Sequence, residues 1–508
     1  MRQQSETYAP FPVVRRVDVQ ASIDIYDDDL QVSRYLDQSG SQNSSKYGKA
    51  FAIEQILGKR EAPTHRFASL SRDGWLLDGK TDVLSGNADQ TNMRAGVWLS
   101  ESEEDGSYTT APYIKIQFNK IPDVAGWALI WDKDNGTYPT QISVSHGLVQ
   151  DTPQIIDTKG YQQNIMFRPE SASVQFEFLQ TNVPNARPRL LGIIFGIREV
   201  FDKNSVKRVS VTYGADPACV SLPYSQVTLT IDNSDHRYNM LNPDGVYQFL
   251  QEGQPLKLQF FIDGESVDMG TFGYVKATAR DNALTAEIVA ADLIYVLDSD
   301  MIDGSEVDAT TLAGALNVII GKYGVQTDYP TELETRSIRM PTGRISRREA
   351  LRRVAQAVGC TVWCDRENVV RLRKLDVMET GVGHITKNEM YDYDGISVDE
   401  RVDKIELTAR DSAYENKVTY TFGEGTYTKS ITNESISPAR VPEIAEWLFD
   451  TYRRRRRYAV KNRCDPAIEI GDTVRIEDAY GNNDNVVVTG IEITYDGGLS
   501  AVTKGVGS

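Results

Sequence analysis

Apolar and polar residues alternate along many short stretches of the chain. Residues 17–25 and 113–118 are two examples in which every second residue is apolar. A period of two is that of a β-strand with one buried face. Similar stretches recur between 67 and 195, separated by turn residues and without a convincing helix among them. This spacing predicts a β-sandwich of jelly-roll type.

The pattern becomes mixed α and β from about residue 199. Asp263-Gly264 separates two alternating stretches and predicts a hairpin. Apolar residues at helical spacing predict three helices, near 312–320, 347–358 and 442–458. Ser346 with Glu349 fits a capping box at the start of the second helix. The fold class predicted is mainly β with α+β parts, in several domains.

Changes of pattern along the 508 residues divide the chain into six segments. They are an N-terminal strand segment with a linker (1–60), the β-sandwich (61–198), a β-domain (199–300), an α+β middle domain (301–380), a second β part with a helix (381–460) and a C-terminal β-module (461–508).

Charge and hydropathy exclude several classes of protein. The chain carries 55 basic and 72 acidic residues, a net charge of −17, which disfavours sequence-specific nucleic-acid binding. No apolar stretch approaches the roughly 20 residues of a membrane helix, and no signal peptide is evident, so we expect no membrane span and synthesis in a cytoplasm. The four cysteines are expected to be buried thiols, and the four scattered histidines predict no zinc site.

Five consecutive arginines are the sharpest charge feature, and they fall on the predicted helix 442–458: Arg453, Arg454, Arg455, Arg456 and Arg457. Consecutive residues of a helix are rotated by about 100° relative to each other, so five in a row point to all sides of the helix and form no single stripe. A phosphate or acidic-partner contact is one interpretation. Pairing with the chain's own carboxylates, or a subunit interface, is favoured, because no basic and aromatic surface accompanies the run.

Other candidate sites are weaker. The loop that begins at Asp132 offers oxygens for calcium, although a plain turn is favoured. Tyr108 and Tyr138, on loops of the sandwich, are candidate sugar contacts, against the favoured alternative of ordinary loop tyrosines. Four tryptophans could stack on sugars, with a core role favoured for the last two: Trp75, Trp98, Trp127 and Trp131. No serine-hydrolase, zinc-protease or phosphate-loop motif is present, so we expect no enzyme, no metal and no cofactor.

Four stretches, 230–254, 261–272, 465–474 and 491–499, resemble the baseplate hub or tail-tip proteins of tailed phages of Gram-positive bacteria. Two upstream stretches, 67–79 and 188–196, are similar to the discoidin-like, or galactose-binding-like, sandwich that such proteins often carry as an insert. The resemblance runs from about residue 67 onward and consists of framework motifs, not of a catalytic signature.

The resemblance implies a homotrimer in which 199–300 and 381–460 are two tube-like parts of one hub. The two parts of each of the three copies would together form a ring with six-fold appearance. This ring would join a hexameric distal tail or tail-tube protein to the tip, next to tape-measure and spike or fibre proteins. It would form part of the DNA channel. It would be located at the tail tip of a virion assembled in the host cytoplasm. The alternative is an adhesion protein that binds a host glycan through its sandwich. A wall-degrading enzyme is disfavoured by the missing motifs.

Overall fold

The computed structural model describes most of the chain from residue 15 to residue 507. The described ranges are 15–26, 30, 32–37, 66–67, 82–83, 97–133, 135–147, 151–242, 245–279, 283–308, 310–378, 383–391, 395–411 and 415–507. Strands outnumber helices throughout, which confirms the predicted mainly β class with α+β parts.

Two compact units make up the chain. We call Met1–Ala21, Phe201–Leu241 and Leu256–Ser508 the sheet unit, and Ser22–Val200 with Asn242–Pro255 the sandwich unit. The six segments predicted from the sequence are a finer division and stay a prediction.

The first thirteen strands precede residue 202. They are β1 (Val17–Tyr26), β2 (Val32–Asp37), β3 (Arg66–Phe67), β4 (Asp82–Val83), β5 (Val97–Trp98), β6 (Tyr113–Phe118), β7 (Trp127–Trp131), β8 (Pro139–Ser145), β9 (Gln154–Asp157), β10 (Gln162–Ile165), β11 (Ser173–Thr181), β12 (Arg189–Ile194) and β13 (Gly196–Phe201).

Two antiparallel sheets form the sandwich unit, in the orders β2-β6-β11-β8-β9 and β10-β7-β12-β5. Their inner faces share one core of alternating apolar residues. Trp127 and Trp131 on one sheet meet Phe118 and Phe178 on the other, with ring centroids 5.5 Å and 5.3 Å apart. The period-two pattern places these aromatic rings inside, where they bury the most apolar area.

The remaining strands are β14 (Val206–Gly214), β15 (Gln226–Asp232), β16 (Pro255–Ile262), β17 (Glu265–Thr278), β18 (Thr285–Ala291), β19 (Met301–Asp303), β20 (Thr310–Thr311), β21 (Gln326–Asp328), β22 (Ser337–Ile338), β23 (Arg344–Ser346), β24 (Thr361–Cys364), β25 (Val369–Arg373), β26 (Gly383–Ile385), β27 (Ile396–Val398), β28 (Lys404–Arg410), β29 (Lys417–Gly423), β30 (Thr428–Thr432), β31 (Arg456–Asn462), β32 (Thr473–Glu477), β33 (Asn483–Tyr495) and β34 (Leu499–Gly507).

A large sheet in the order β16-β17-β18-β15-β14-β33-β34-β31-β27 dominates the sheet unit. The predicted hairpin across Asp263-Gly264 is confirmed, and the positive φ angles of 51° and 94° at these residues explain why this dipeptide forms the turn. Phe260 of β16 and Tyr495 of β33 lie with ring centroids 6.1 Å apart, although four strands separate them in the sheet. The sheet therefore curls around its apolar face.

Six strands at the C-terminal end of this sheet form a group that we call the small barrel: β26, β32, β33, β34, β31 and β27. β32, β33, β34 and β31 are neighbours in that order. β26 runs parallel to β32 at one side, and β27 runs antiparallel to β31 at the other. β26 and β27 thus cover the outer edges of β32 and β31.

The described residues of the sheet unit include four α-helices: α1 (Leu293–Ser299), α2 (Leu312–Ile320), α3 (Arg347–Ala357) and α4 (Val441–Arg453). Short 3₁₀ helices occur at Tyr247–Phe249, Gly304–Glu306, Gly321–Tyr323, Thr331–Leu333, Lys387–Glu389 and Pro438–Arg440. The Ser346 side chain accepts from the N–H of Glu349 and caps α3, as predicted. The Glu349 carboxylate instead binds Arg352 and Arg353, so the reciprocal half of the predicted capping box is wrong.

Removing the Phe176 ring tests the sandwich core. Phe176 is fully buried and lies edge-on to Trp127. We expect Phe176→Ala to lower the free energy of unfolding of this unit by about 3–5 kcal/mol, because a cavity is left behind. Ile155→Ala, at a side chain that is 61% exposed, should change it by less than about 0.5 kcal/mol. Urea unfolding followed by tryptophan fluorescence measures both, and equal effects would contradict the assigned core.

Candidate functional site

The five consecutive arginines are divided between a helix end and a strand. α4 ends at Arg453, and β31 begins at Arg456. The predicted helix to residue 458 is therefore wrong at its C-terminal end. Tyr458, Val460 and Asn462 are buried at every second position of β31, and this period-two burial beside β34 outweighs the local helical pattern.

Four of these arginines bind acceptors of the same chain. Their contacts are Arg454 to Asp376 (2.7 Å) and to the Leu375 carbonyl (2.8 Å), Arg455 to the Asp399 carbonyl (2.8 Å), Arg456 to Asp484 (3.2 Å) and Arg457 to Asp399 (2.5 Å). Arg453 lies over the Phe449 ring at 5.6 Å. Each partly exposed ion pair contributes about 0–1 kcal/mol to the free energy of unfolding. The main effect of these pairs is therefore to neutralise charge on this part of the surface. The predicted subunit interface at these arginines stays a prediction.

The end of the small barrel gathers charged and aromatic groups. Asp484, at the start of β33, accepts from Arg456 and from the Tyr458 hydroxyl. Burial and this hydrogen bond raise the pKa of Tyr458 to about 12, so the phenol remains a donor at neutral pH. Val398 of β27 is the strand partner of Arg456 and is 62% exposed.

The turn between β32 and β33 presents Tyr480 to solvent. The Asp478 carboxylate accepts from the backbone N–H of Tyr480 and of Asn482, each at 2.8 Å. Gly481 has a φ of 87°, which a side chain at that position would strain. The backbone of the turn is thus held in place, while the Tyr480 side chain is 92% exposed. Tyr480 was not predicted as a candidate residue, although the turn-forming residues around it indicate an exposed loop tip.

Tyr108 and Tyr138 lie on two loops of the sandwich unit, and both are half-buried against its core. The Tyr108 hydroxyl is buried without a hydrogen-bond partner among the described residues, and burial raises the pKa of Tyr108. The Tyr138 ring meets Tyr161 edge-on at 5.0 Å, and its backbone N–H donates to Asn182. Both rings contribute to packing, and sugar binding by either stays a prediction.

The loop proposed for calcium is held by protein contacts. Asp132 is buried and lies 3.4 Å from the Arg189 guanidinium. Asn135 donates to Thr137 and to the Arg187 carbonyl. Within the described ranges, no three histidine, cysteine or acidic side chains lie close enough together to share a metal ion.

The tryptophan predictions are resolved for two residues. Trp127 and Trp131 are buried, and their indole N–H groups donate to the Phe167 carbonyl and to Gln163. Their core role is confirmed. Trp75 lies outside the described residues, as does most of 67–79, and for Trp98 only its strand pairing is described.

All four cysteines are buried free thiols: Cys219, Cys360, Cys364 and Cys464. Burial raises the pKa of every one of them, to about 12 for Cys360 and Cys464. The prediction of buried thiols is confirmed. Of the helices in the described part of the chain, none has both the length and the apolar character required to cross a membrane.

Comparisons with known proteins give structural similarity alone. No family model and no curated protein matches the sequence. The chain is similar to the tail protein from Neisseria meningitidis MC58 (13% identity over 61% of this chain and 93% of that chain, TM-score 0.46). It is also similar to the 43 kDa tail protein of prophage MuSo2 from Shewanella oneidensis (15%, 61% and 95%, TM-score 0.42). A third similar structure is the prophage tail protein gp18 from Listeria monocytogenes EGD-e (11%, 61% and 91%, TM-score 0.38).

These three structures are tail proteins, at 15% identity or less and at TM-scores below 0.5. The function proposed below is therefore based on the residues and contacts of this chain.

Burial of the four thiols predicts their reactivity. In the native protein at pH 8, we expect a water-soluble disulfide reagent to label none of the cysteines within minutes, because thiolates and solvent access are both lacking. After denaturation all four should react, which the released chromophore measures. Rapid labelling of any native cysteine would contradict the burial described.

Proposed function

We propose that the chain is a structural component of a phage-type tail, a baseplate or tail-tip hub that trimerises and joins the tail tube to the tip. In this proposal it forms part of the DNA channel and has no catalytic activity of its own. The observation that carries the proposal is that sequence stretches with the hub resemblance, far apart in the chain, are built into one sheet.

The motif stretches meet around β14. Residues 230–254 begin in β15, and 491–499 span the end of β33 and the turn to β34. Val209 of β14 pairs with Leu229 of β15 at one side and with Tyr495 of β33 at the other. The stretch 261–272 belongs to the β16–β17 hairpin of the same sheet, and 465–474 leads into β32. A resemblance spread over remote stretches thus corresponds to one structural element, as a hub framework requires.

A row of hydroxyl side chains crosses the outer face of this sheet. Thr228, Ser210, Thr494 and Ser500 are successive cross-strand partners on β15, β14, β33 and β34, and all are half-exposed. These four side chains are short and neutral and offer DNA phosphates no cationic contact, while the exposed Arg208 lies two residues before Ser210 on the same strand. A surface of this kind suits the wall of a channel through which DNA passes without being held.

The partners proposed follow from this location. They are two further copies of the chain, the hexameric distal tail or tail-tube protein, the tape-measure protein, and tip, spike or fibre proteins. The sandwich unit would decorate the tip as a discoidin-like insert. The complete assembly would reside at the tail tip of the virion and form in the host cytoplasm.

Deleting the gene from the phage or prophage that encodes it tests the role in the tail. We expect particles without an assembled tail tip, visible by negative-stain electron microscopy, and restoration by the wild-type chain supplied in trans. Normal tails without the chain would overturn the proposal.

The channel is tested separately by complementation with Ser210→Arg/Thr494→Arg, which places cations in the hydroxyl row. Tails should assemble, while DNA ejection becomes slower than with the matched Ser210→Asn/Thr494→Asn variant, because the added arginines bind phosphates. Equal ejection rates in assembled particles would contradict the channel assignment alone.

A further inference from the structure

The three-stranded sheet β29-β28-β30 ends on both sides in a strand that pairs with β28 alone. β29 (Lys417–Gly423) runs antiparallel to β28, and β30 (Thr428–Thr432) runs parallel to it, so the two outer strands run in opposite directions. Among the described residues, no further strand pairs with either of them. Each outer strand therefore carries a row of backbone N–H and C=O groups that point away from the sheet.

Hydrogen bonds at the ends of β28 identify these outward groups. The Asp411 N–H donates to the Asn416 carbonyl at 2.9 Å. Bonded and non-bonded pairs alternate along an antiparallel ladder, so the even-numbered residues of β29 bond to β28 and the odd-numbered ones face outward. In the parallel pair, the Lys404 N–H donates to the Tyr427 carbonyl at 3.1 Å, so the odd-numbered residues of β30 bond to β28 and the even-numbered ones face outward. The outward groups are those of Lys417, Thr419 and Thr421 on β29 and of Thr428, Ser430 and Thr432 on β30, and no described residue pairs with them through its backbone.

Both outward rows belong to the polar face of this sheet. Their side chains are exposed, whereas the opposite face packs with α4 in one apolar core, where Ile431 is buried and the rings of Phe422 and Phe449 lie 5.5 Å apart. Residues directly opposite each other in an antiparallel pair point to the same face. A junction of β29 with β30 of another copy therefore continues both faces. This match arises from the mixed pairing, because two outer strands antiparallel to β28 would have their outward rows on opposite faces.

Side chains at the two edges match as well. Thr419 of β29 and Thr432 of β30 are partners of the same β28 residue, Thr408. Two residues further on lie a cation on one edge and an anion on the other, Lys417 and Glu434, which bind each other within the chain at 2.6 Å. When these rows are aligned between copies, hydroxyl meets hydroxyl and Lys417 faces Glu434 of the neighbouring copy. Opposite charges at matching positions reduce the repulsion between chains of net charge −17.

We propose that β29 of one copy of this chain pairs antiparallel with β30 of the next copy. The inference rests on the trimeric assembly proposed above, and it names the backbone contact by which copies meet. The occupant of each edge is identified by strand direction, by face and by charge, in all of which the two open edges of one sheet complement each other. A head-to-tail contact of this kind closes into a ring when the rotation between copies allows it, as a trimer requires.

Proline at an outward position tests the contact, because it removes the N–H that the neighbouring strand would bind and keeps the bonds to β28. Thr419→Pro blocks one edge and Ser430→Pro the other. In sedimentation velocity of the full chain, each should raise the dissociation constant for self-association by about tenfold or more. The matched controls Thr419→Ala and Ser430→Ala keep the backbone N–H and should stay within about threefold of wild type.

A mixture of the two proline variants tests the head-to-tail geometry. Each variant keeps the edge that the other lacks, so an equimolar mixture should form dimers at a concentration at which neither variant associates alone. Weakened association of both proline variants, with dimers in the mixture, supports the inference. A mixture without dimers, or an effect of Thr419→Pro without an effect of Ser430→Pro, overturns it.

The remaining outcomes separate this inference from the tail role. Association that all four variants leave unchanged, or a wild-type chain that stays monomeric, overturns the inference, whereas the tail role is decided by the gene deletion. Hydrogen exchange of the wild-type chain keeps the test valid if a proline variant is less stable to heat. The amides of Thr419 and Thr421 should be protected only at concentrations at which copies associate, and exchange that is independent of concentration would overturn the pairing.

Discussion

The antiparallel pairing of β14 with both β15 and β33 is the interaction on which the sheet unit depends. β14 connects strands from the beginning and the end of this unit's sequence, through a buried row that includes Val209 and Val211. Without it, the β15–β18 region and the C-terminal barrel would share no continuous sheet. The pairing of β14 with β33 is costly to form, because bringing two strands so far apart in the sequence together reduces the conformational entropy of the chain between them.

Acidic excess is the second constraint on the molecule. A net charge of −17 favours solubility and opposes contact between copies. Four of the five consecutive arginines, Arg454 to Arg457, bind carboxylates and carbonyls of their own chain, while Arg453 lies over the Phe449 ring. Arg454, Arg456 and Arg457 therefore neutralise Asp376, Asp484 and Asp399 of their own chain.

Patterns within a few residues predicted those elements that short-range interactions determine. Alternation predicted the sandwich strands, and Asp263-Gly264 predicted its hairpin, because turn geometry and one-sided burial act within a few residues. The helix at 442–458 was overextended, since helical spacing continues through the arginines while the burial beside β34 that ends it comes from remote sequence. The pairing of β26 with β32 and of β27 with β31 also joins strands that are remote in the sequence, so no local pattern predicted it.

The most direct measurement of the central claim is a cryo-electron microscopy reconstruction of tails that contain this chain. We expect three copies around the tail axis at the junction of tube and tip, with the row from Thr228 to Ser500 facing the lumen. Density for the chain only at the periphery of the particle, or none in the tail, would contradict it.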